Sequence, residues 1–238
     1  MRKRSKKPLP WRAILWTMFL GNTLAGLVLS PVTAVRTVRV VGAPQWDELR
    51  VQSILEGLKA TPVLAIDVAK VETEVQAASS VDSARLSRTP FGSAKLEVVY
   101  RQPVARVMGS KSLFLCADGK TAEFLEPQTP AITVKLPEPS AQPVATLAGA
   151  WDFSGLANVC RKLEILPFAK DWIVEMNAFG SVFLQAGPVV VIEFGDTSKI
   201  DEKLDALAAL FEDHHDLLDR VRSINVTAPA RPMVVPLR

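Results

Sequence analysis

Along residues 36–41, Arg36, Val38 and Val40 alternate with Thr37, Arg39 and Val41, and Gly42 closes the run. A period of two is the spelling of a strand. Over 47–58 the period changes. Val51, Ile54, Leu55 and Leu58 fall at i, i+3, i+4 and i+7, one face of an amphipathic helix. Asp67 is placed to cap a second helix whose face carries Val68, Val71, Val75 and Ala78. Two strand-like runs follow, 81–88 and 95–107, separated by a turn with Pro90 and Gly92. The order β-α-α-β-β predicts a small sheet with one apolar face covered by two helices.

Beyond residue 107 the same reading gives a β-rich region. Residues 112–124 spell a hairpin turning at Asp118-Gly119. Residues 126–143 carry five prolines and predict an extended, irregular path. A helix is expected over 151–166, with Leu156, Val159, Cys160 and Leu163 on one face and Asp152 or Ser154 as cap. The runs DWIVEM, SVFLQA and VVVIEF predict a strand meander, turning at NAFG and at GP. Ile200, Leu204, Leu207 and Phe211 line a further helix, and a final strand is expected within 219–229. The fold class is α+β, with a mostly antiparallel second domain that holds two helices.

Residues 13–35 are uncharged. As one helix these 23 residues would measure about 35 Å, against roughly 30 Å for a hydrocarbon core. The pattern therefore predicts a retained transmembrane helix. Six basic residues precede it and Arg36 and Arg39 follow, so the rule for basic flanks places the N-terminus in the cytoplasm and the C-terminus outside. Trp11 and Trp16 would stand near the inner interface. The expected organisation is a basic tail (1–12), a membrane span (13–35), an α/β domain (36–107) and a β-rich domain (108–238), in a single-pass inner-membrane protein.

Composition changes this picture little. The chain is 48% hydrophobic and 22% charged, ordinary for a folded protein of one or two domains. Its net charge of +3 comes from the tail. Beyond residue 12 there are 22 basic against 25 acidic residues. No basic stripe remains to track phosphates, which argues against a nucleic-acid partner.

Candidate chemistry is thin. The histidines are His214 and His215, and only His215 with Asp219 has the i, i+4 spacing of a metal pair; a solvated helix end explains both better. No Gly-x-Ser-x-Gly turn presents a serine, and GDTSK (195–199) lacks the spacing of a phosphate loop. Asp47/Glu48 and Asp201/Glu202 sit at helix N-termini, where carboxylates complement the helix dipole. Cys116 and Cys160 can be bridged or stay as two buried thiols; a core of this size does not need a bridge, which favours the thiols. The expectation is a protein that is not an enzyme, with no cofactor, no metal and no small-molecule substrate.

Several of these stretches also resemble a known module. VRVVGA, PVLAID and VDSARLSRTPFGSAKLEVVYRQPVA together resemble the POTRA module, with Arg85, Arg88 and Pro90 in its third element and Arg101, Pro103, Val104 and Ala105 in its close. A POTRA after a signal-anchor is similar to the FtsQ/DivIB family of bacterial cell-division proteins. Gly195, Lys203, Leu204 and Leu207 match that family's strand-glycine-helix wording. In the last strand Asn225 stands near the family's aspartate, and its arginine is missing. The resemblance implies a non-catalytic divisome scaffold. It would recruit FtsB and FtsL to the septum through the C-terminal β region, by strand addition, and contact other divisome members through the POTRA. Carried onto this chain, the partner-binding residues are Val221, Arg222, Ser223, Ile224, Asn225 and Val226, with the preceding helix and Pro232 to Val235 beside them. The alternative is a POTRA-type chaperone or secretion accessory that binds extended polypeptides.

Overall fold

A computed structural model describes residues 11–29, 34–59, 61–89, 92–125, 130–137, 151–169, 171–187, 190–214 and 216–237. Most of the basic tail, Pro90, His215 and much of the proline-rich segment lie outside the described residues. The chain divides into two compact units, Met1–Tyr100 and Arg101–Arg238.

The first unit opens with helix α1, Trp11–Leu29. Its uncharged part begins at residue 13, so it holds 17 residues of the run and measures about 26 Å. The end of the run is not helical. Ala34 forms a β-bridge with Pro62, the Val35 amide donates to the Thr61 carbonyl (3.1 Å), and both side chains are buried. Pairing with 61–62 pulls these residues into extended backbone. Within the helix, Thr17 and Thr23 return hydroxyls to the carbonyls of Ile14 and Phe19, and Gly21, Asn22 and Gly26 dilute its apolar character. The expected membrane crossing over 13–35 is therefore corrected. Among the described residues no helix is long and apolar enough to cross a membrane. The single-pass inner-membrane placement rested on that crossing and falls with it.

Strand β1 (Thr37–Val41), helices α2 (Gln45–Glu56) and α3 (Val68–Gln76), and strands β2 (Val81–Arg88) and β3 (Ser93–Tyr100) follow in the β-α-α-β-β order that the pattern predicts. The sheet order is β1-β3-β2, with β1 parallel and β2 antiparallel to β3. Val51, Leu55, Val71 and Val75 of the helices bury against Ala84, Leu86, Leu96 and Val98 of the sheet. Asp67 caps α3 by accepting from the Lys70 amide at 3.1 Å. Gly42 makes the β1–α2 turn at φ +92°, where a Cβ would stand 2.2 Å from the Val98 carbonyl oxygen. Only glycine fits there.

The run 95–107, expected as one strand, is two. Strand β3 ends at Tyr100, and β4 (Pro103–Val107) pairs in the sheet of the second unit. Pro103 has no amide to continue a ladder and opens a new strand instead.

The second unit continues with β5 (Leu113–Cys116), β6 (Thr121–Glu123), β7 (Thr133–Lys135), α4 (Phe153–Ile165), β8 (Ile173–Met176), β9 (Val182–Ala186), β10 (Val190–Gly195), α5 (Ile200–Asp213), the single turn α6 (Leu217–Arg220), β11 (Val221–Asn225) and β12 (Met233–Pro236). Its strands form one nine-stranded sheet, ordered β12-β11-β10-β9-β8-β7-β4-β5-β6. Strand β7 lies in the segment expected to be irregular. It sits mid-sheet, parallel to both β4 and β8. Alternate residues of β8, β9 and β10 form one core with the buried faces of α4 and α5.

Candidate interaction edge

The six residues predicted to bind a partner lie on β11 and just after it. Strand β11 is not an edge. It pairs parallel with β10 and antiparallel with β12. Val221, Ile224 and Val226 point into the core, and Arg222 is exposed. Ser223 and Asn225 are half-buried on the opposite face, where Asn225 Nδ2 donates to Glu193 Oε2 at 2.6 Å. Asn225 Oδ1 also accepts from the amide and hydroxyl of Thr227, fixing the exit of the strand.

The outer strand at this end of the sheet is β12, and no strand pairs beyond it among the described residues. All four of its residues are exposed, with Met233 at 65%, Val234 at 38% and Val235 at 45%. Val234 lies opposite buried Ile224, so it continues the core-facing side of the sheet; Met233 and Val235 lie opposite Asn225 and Ser223. The Leu237 amide donates to the Arg220 carbonyl at 2.8 Å. The register irregularity between Val221 and Ser223 puts the extra residue on β11, so the alternation along β12 is unbroken. By that alternation the amides of Val235 and Met233 also face β11, while Val234 and Pro236 turn their backbone groups outward. The missing N–H of Pro236 therefore falls on the free side. That side offers the carbonyls of Val234 and Pro236 and one N–H, that of Val234. Two copies of such an edge are short of donors for one another, which disfavours self-pairing. A partner strand that brings its own amides is accommodated.

Comparison with known proteins finds no matching family model and no curated protein of significant similarity. The reading of this surface rests on its geometry.

The candidate catalytic groups do not converge. His214 is exposed at the C-terminal end of α5, and among the described residues no group of histidine, cysteine and carboxylate side chains could hold a metal ion. Cys116 and Cys160 are both free and buried. Burial pushes their thiols up to about 11 and about 12, so neither is a thiolate at neutral pH.

The carboxylates near helix N-termini have separate structural tasks. Asp47, 1% exposed, accepts from Arg50 Nε and Nη2 at 2.6 Å each and from the Tyr100 hydroxyl at 2.6 Å. Burial opposes its charge, but the bonds from Arg50 and Tyr100 and the guanidinium's charge outweigh it and hold the carboxyl below the usual range. Burial and the bond to Asp47 push the Tyr100 phenol up. This cluster ties α2 to the end of β3. Asp201 instead pairs with Lys162 of α4.

Lys203 enters the sequence reading only as a motif position; the structure shows it as a buried charge. Lys203, 1% exposed, donates from Nζ to the Asp196 carbonyl (2.8 Å) and Oδ1 (2.7 Å), and lies over the Phe194 ring at 5.1 Å. It pins the β10–α5 corner. Its position, three residues after Ile200 and four before Leu207, marks it as belonging to the buried face.

Proposed function

We propose that this chain is a non-catalytic scaffold of the bacterial cell-division assembly, similar to the FtsQ/DivIB family, and that it takes a segment of a division partner as an added strand on β12. The observation that carries the reading is the free, apolar, outward-accepting edge of β12 at the end of a nine-stranded sheet. Strand addition supplies affinity through main-chain bonds, and the side chains beside the edge supply selectivity. Val234 and Pro236 leave room for an incoming strand, and Met233 and Val235 set two exposed apolar side chains on the other face. The β-α-α-β-β order of the first unit, with the resemblance in its motifs, supports the family reading. FtsB- and FtsL-like proteins are the partners this implies.

Depleting the protein from its host tests the role in division. The expected result is filamentous cells that elongate without dividing. Cells that divide at normal length after full depletion would contradict the proposal.

A further inference from the structure

In the first unit, the face of the sheet turned away from α2 and α3 carries a compact group of polar side chains. The core takes Ala84, Leu86, Ala94, Leu96 and Val98, so the residues between them point the other way. Arg39 of β1 and Lys95 of β3 stand directly opposite one another, and Ser87 of β2 faces Lys95 from its other side. One step along, Thr37 lies opposite Ser93, their hydroxyl oxygens 3.4 Å apart. All five residues are exposed, and they line an open depression of about 490 Å³.

Among the described residues no carboxylate lines this depression. The nearest along the strand is Glu97, which accepts from Lys95 Nζ at 2.5 Å. Their side chains are 47% and 50% exposed, and exposed pairs of this kind exchange readily. Glu97 also lies opposite Arg85, so a cation stays across the ladder from it when Lys95 turns away. Arg39 has no hydrogen-bond or ion-pair partner among the described residues. It also borders the groove beside α2, but the acids there are engaged elsewhere: Glu48 accepts from Gln52, and Glu56 pairs with Lys59. Arg88 turns to the opposite face, where Nη1 donates to the carbonyls of Val63 (2.8 Å) and Ile66 (2.7 Å). The Ser87 hydroxyl makes only a long bond, 3.3 Å, to the Lys95 carbonyl. What remains is two like charges set across one ladder, an arrangement that repels, beside the hydroxyls of Thr37, Ser87 and Ser93.

We infer that this patch binds a small phosphate monoester, held between Arg39 and Lys95. A divalent oxyanion replaces the repulsion of the two cations with two attractions, whereas a carboxylate brings charge enough for one. A phosphate monoester carries about −1.5 to −2 charges at neutral pH and three strong acceptor oxygens. Those oxygens suffice for a guanidinium, an ammonium and a hydroxyl together. Neighbouring strands lie about 5 Å apart, so both long side chains reach a single phosphate group. This site is independent of the β12 reading.

The test uses the full chain and glycerol 1-phosphate, titrated by NMR into the millimolar range against sodium chloride of equal ionic strength. Saturable shifts confined to β1, β2 and β3 are expected. Arg39→Gln and Lys95→Gln, both surface changes, should each weaken binding at least about fivefold. Arg222→Gln on β11 should leave it unchanged. Dimethyl phosphate, a monoanion, should bind at least about fivefold more weakly than the monoester. Affinity for the monoester should rise with pH as it loses its second proton near about pH 6, because both cations stay charged there. Inorganic phosphate separates a free ion from an ester, and the ester should bind at least as tightly. The inference would be overturned by no saturable shift, by an equal response to chloride, or by undiminished binding in either glutamine variant at the site. Equal binding of the diester, or tighter binding of inorganic phosphate, would overturn the monoester assignment.

Discussion

Replacing Asp47 with alanine should destabilise the first unit by about 2–3 kcal/mol. The side chain is 2% exposed and Arg50's is 32% exposed. Losing the carboxylate removes the partner of two Arg50 nitrogens and of the Tyr100 hydroxyl, all part-buried. Because Arg50 keeps some water, the effect falls below that of a fully buried pair. Asp47→Asn isolates the charge: it keeps an acceptor for Tyr100 and loses the ion pair. The pH dependence has a definite sign. Asp47's folded value lies below its unfolded one. Its stabilisation is therefore full above the unfolded value, about 3.9, and is lost as pH falls through the folded value. Urea unfolding followed by amide hydrogen exchange in β2 and β3 should show the wild-type unit weakening below about pH 4, with that slope flattened in Asp47→Asn. An unchanged acid limb would show that the triad contributes no charge-dependent stability.

Lys203→Ala should cost the second unit about 2–3 kcal/mol. The lysine stem fills core space beside Phe194, and its amine closes the β10–α5 corner through two bonds to Asp196. The Asp196 side chain is 73% exposed, so it remains solvated once the amine is gone. The loss is then mostly packing and the lysine's own bonds. Lys203→Met keeps most of the volume and should cost about 1 kcal/mol. Thermal unfolding of the three proteins checks the order. A methionine variant as damaged as the alanine one would shift the weight from packing to the amine. The corner also matters for the edge. Gly195, at φ +77°, packs against Thr227 at the exit of β11, where a Cβ would meet Thr227 Cγ2 at 2.8 Å.

Where periodicity is long and amphipathic, the sequence and the structure agree. The stripes Leu156–Leu163 and Ile200–Phe211 are the buried faces of α4 and α5, and the hairpin does turn at Asp118-Gly119. Two of the misses share a cause. Strands β7 and β12 are three and four residues long and flanked by prolines, so their local signal is that of a loop. Only pairing with distant strands makes them strands. Without β12 as a strand, β11 reads as terminal, whereas it is paired on both sides. The uncharged run 13–35 failed in another way. Hydropathy has no term for the Ala34–Pro62 bridge, which ends the run in extended backbone. Asp47 and Lys203 were legible in principle. Each lies one turn from an apolar position on a buried face, Asp47 before Val51 and Lys203 before Leu207, and a charge in such a place needs a partner.

The central claim is that β12 accepts a partner strand through its outward backbone. Val234→Pro removes the one outward N–H and sets a ring on the free side, while leaving the β11–β12 ladder intact, as Pro236 already does one step along. The direct measurement is co-purification of the organism's own FtsB- and FtsL-like proteins with the full chain and with this variant, alongside their melting temperatures. The predicted result is capture by the wild type, at least about tenfold weaker capture by Val234→Pro, and melting temperatures that coincide. Undiminished capture by a folded Val234→Pro variant, or no capture by the wild type, would contradict it.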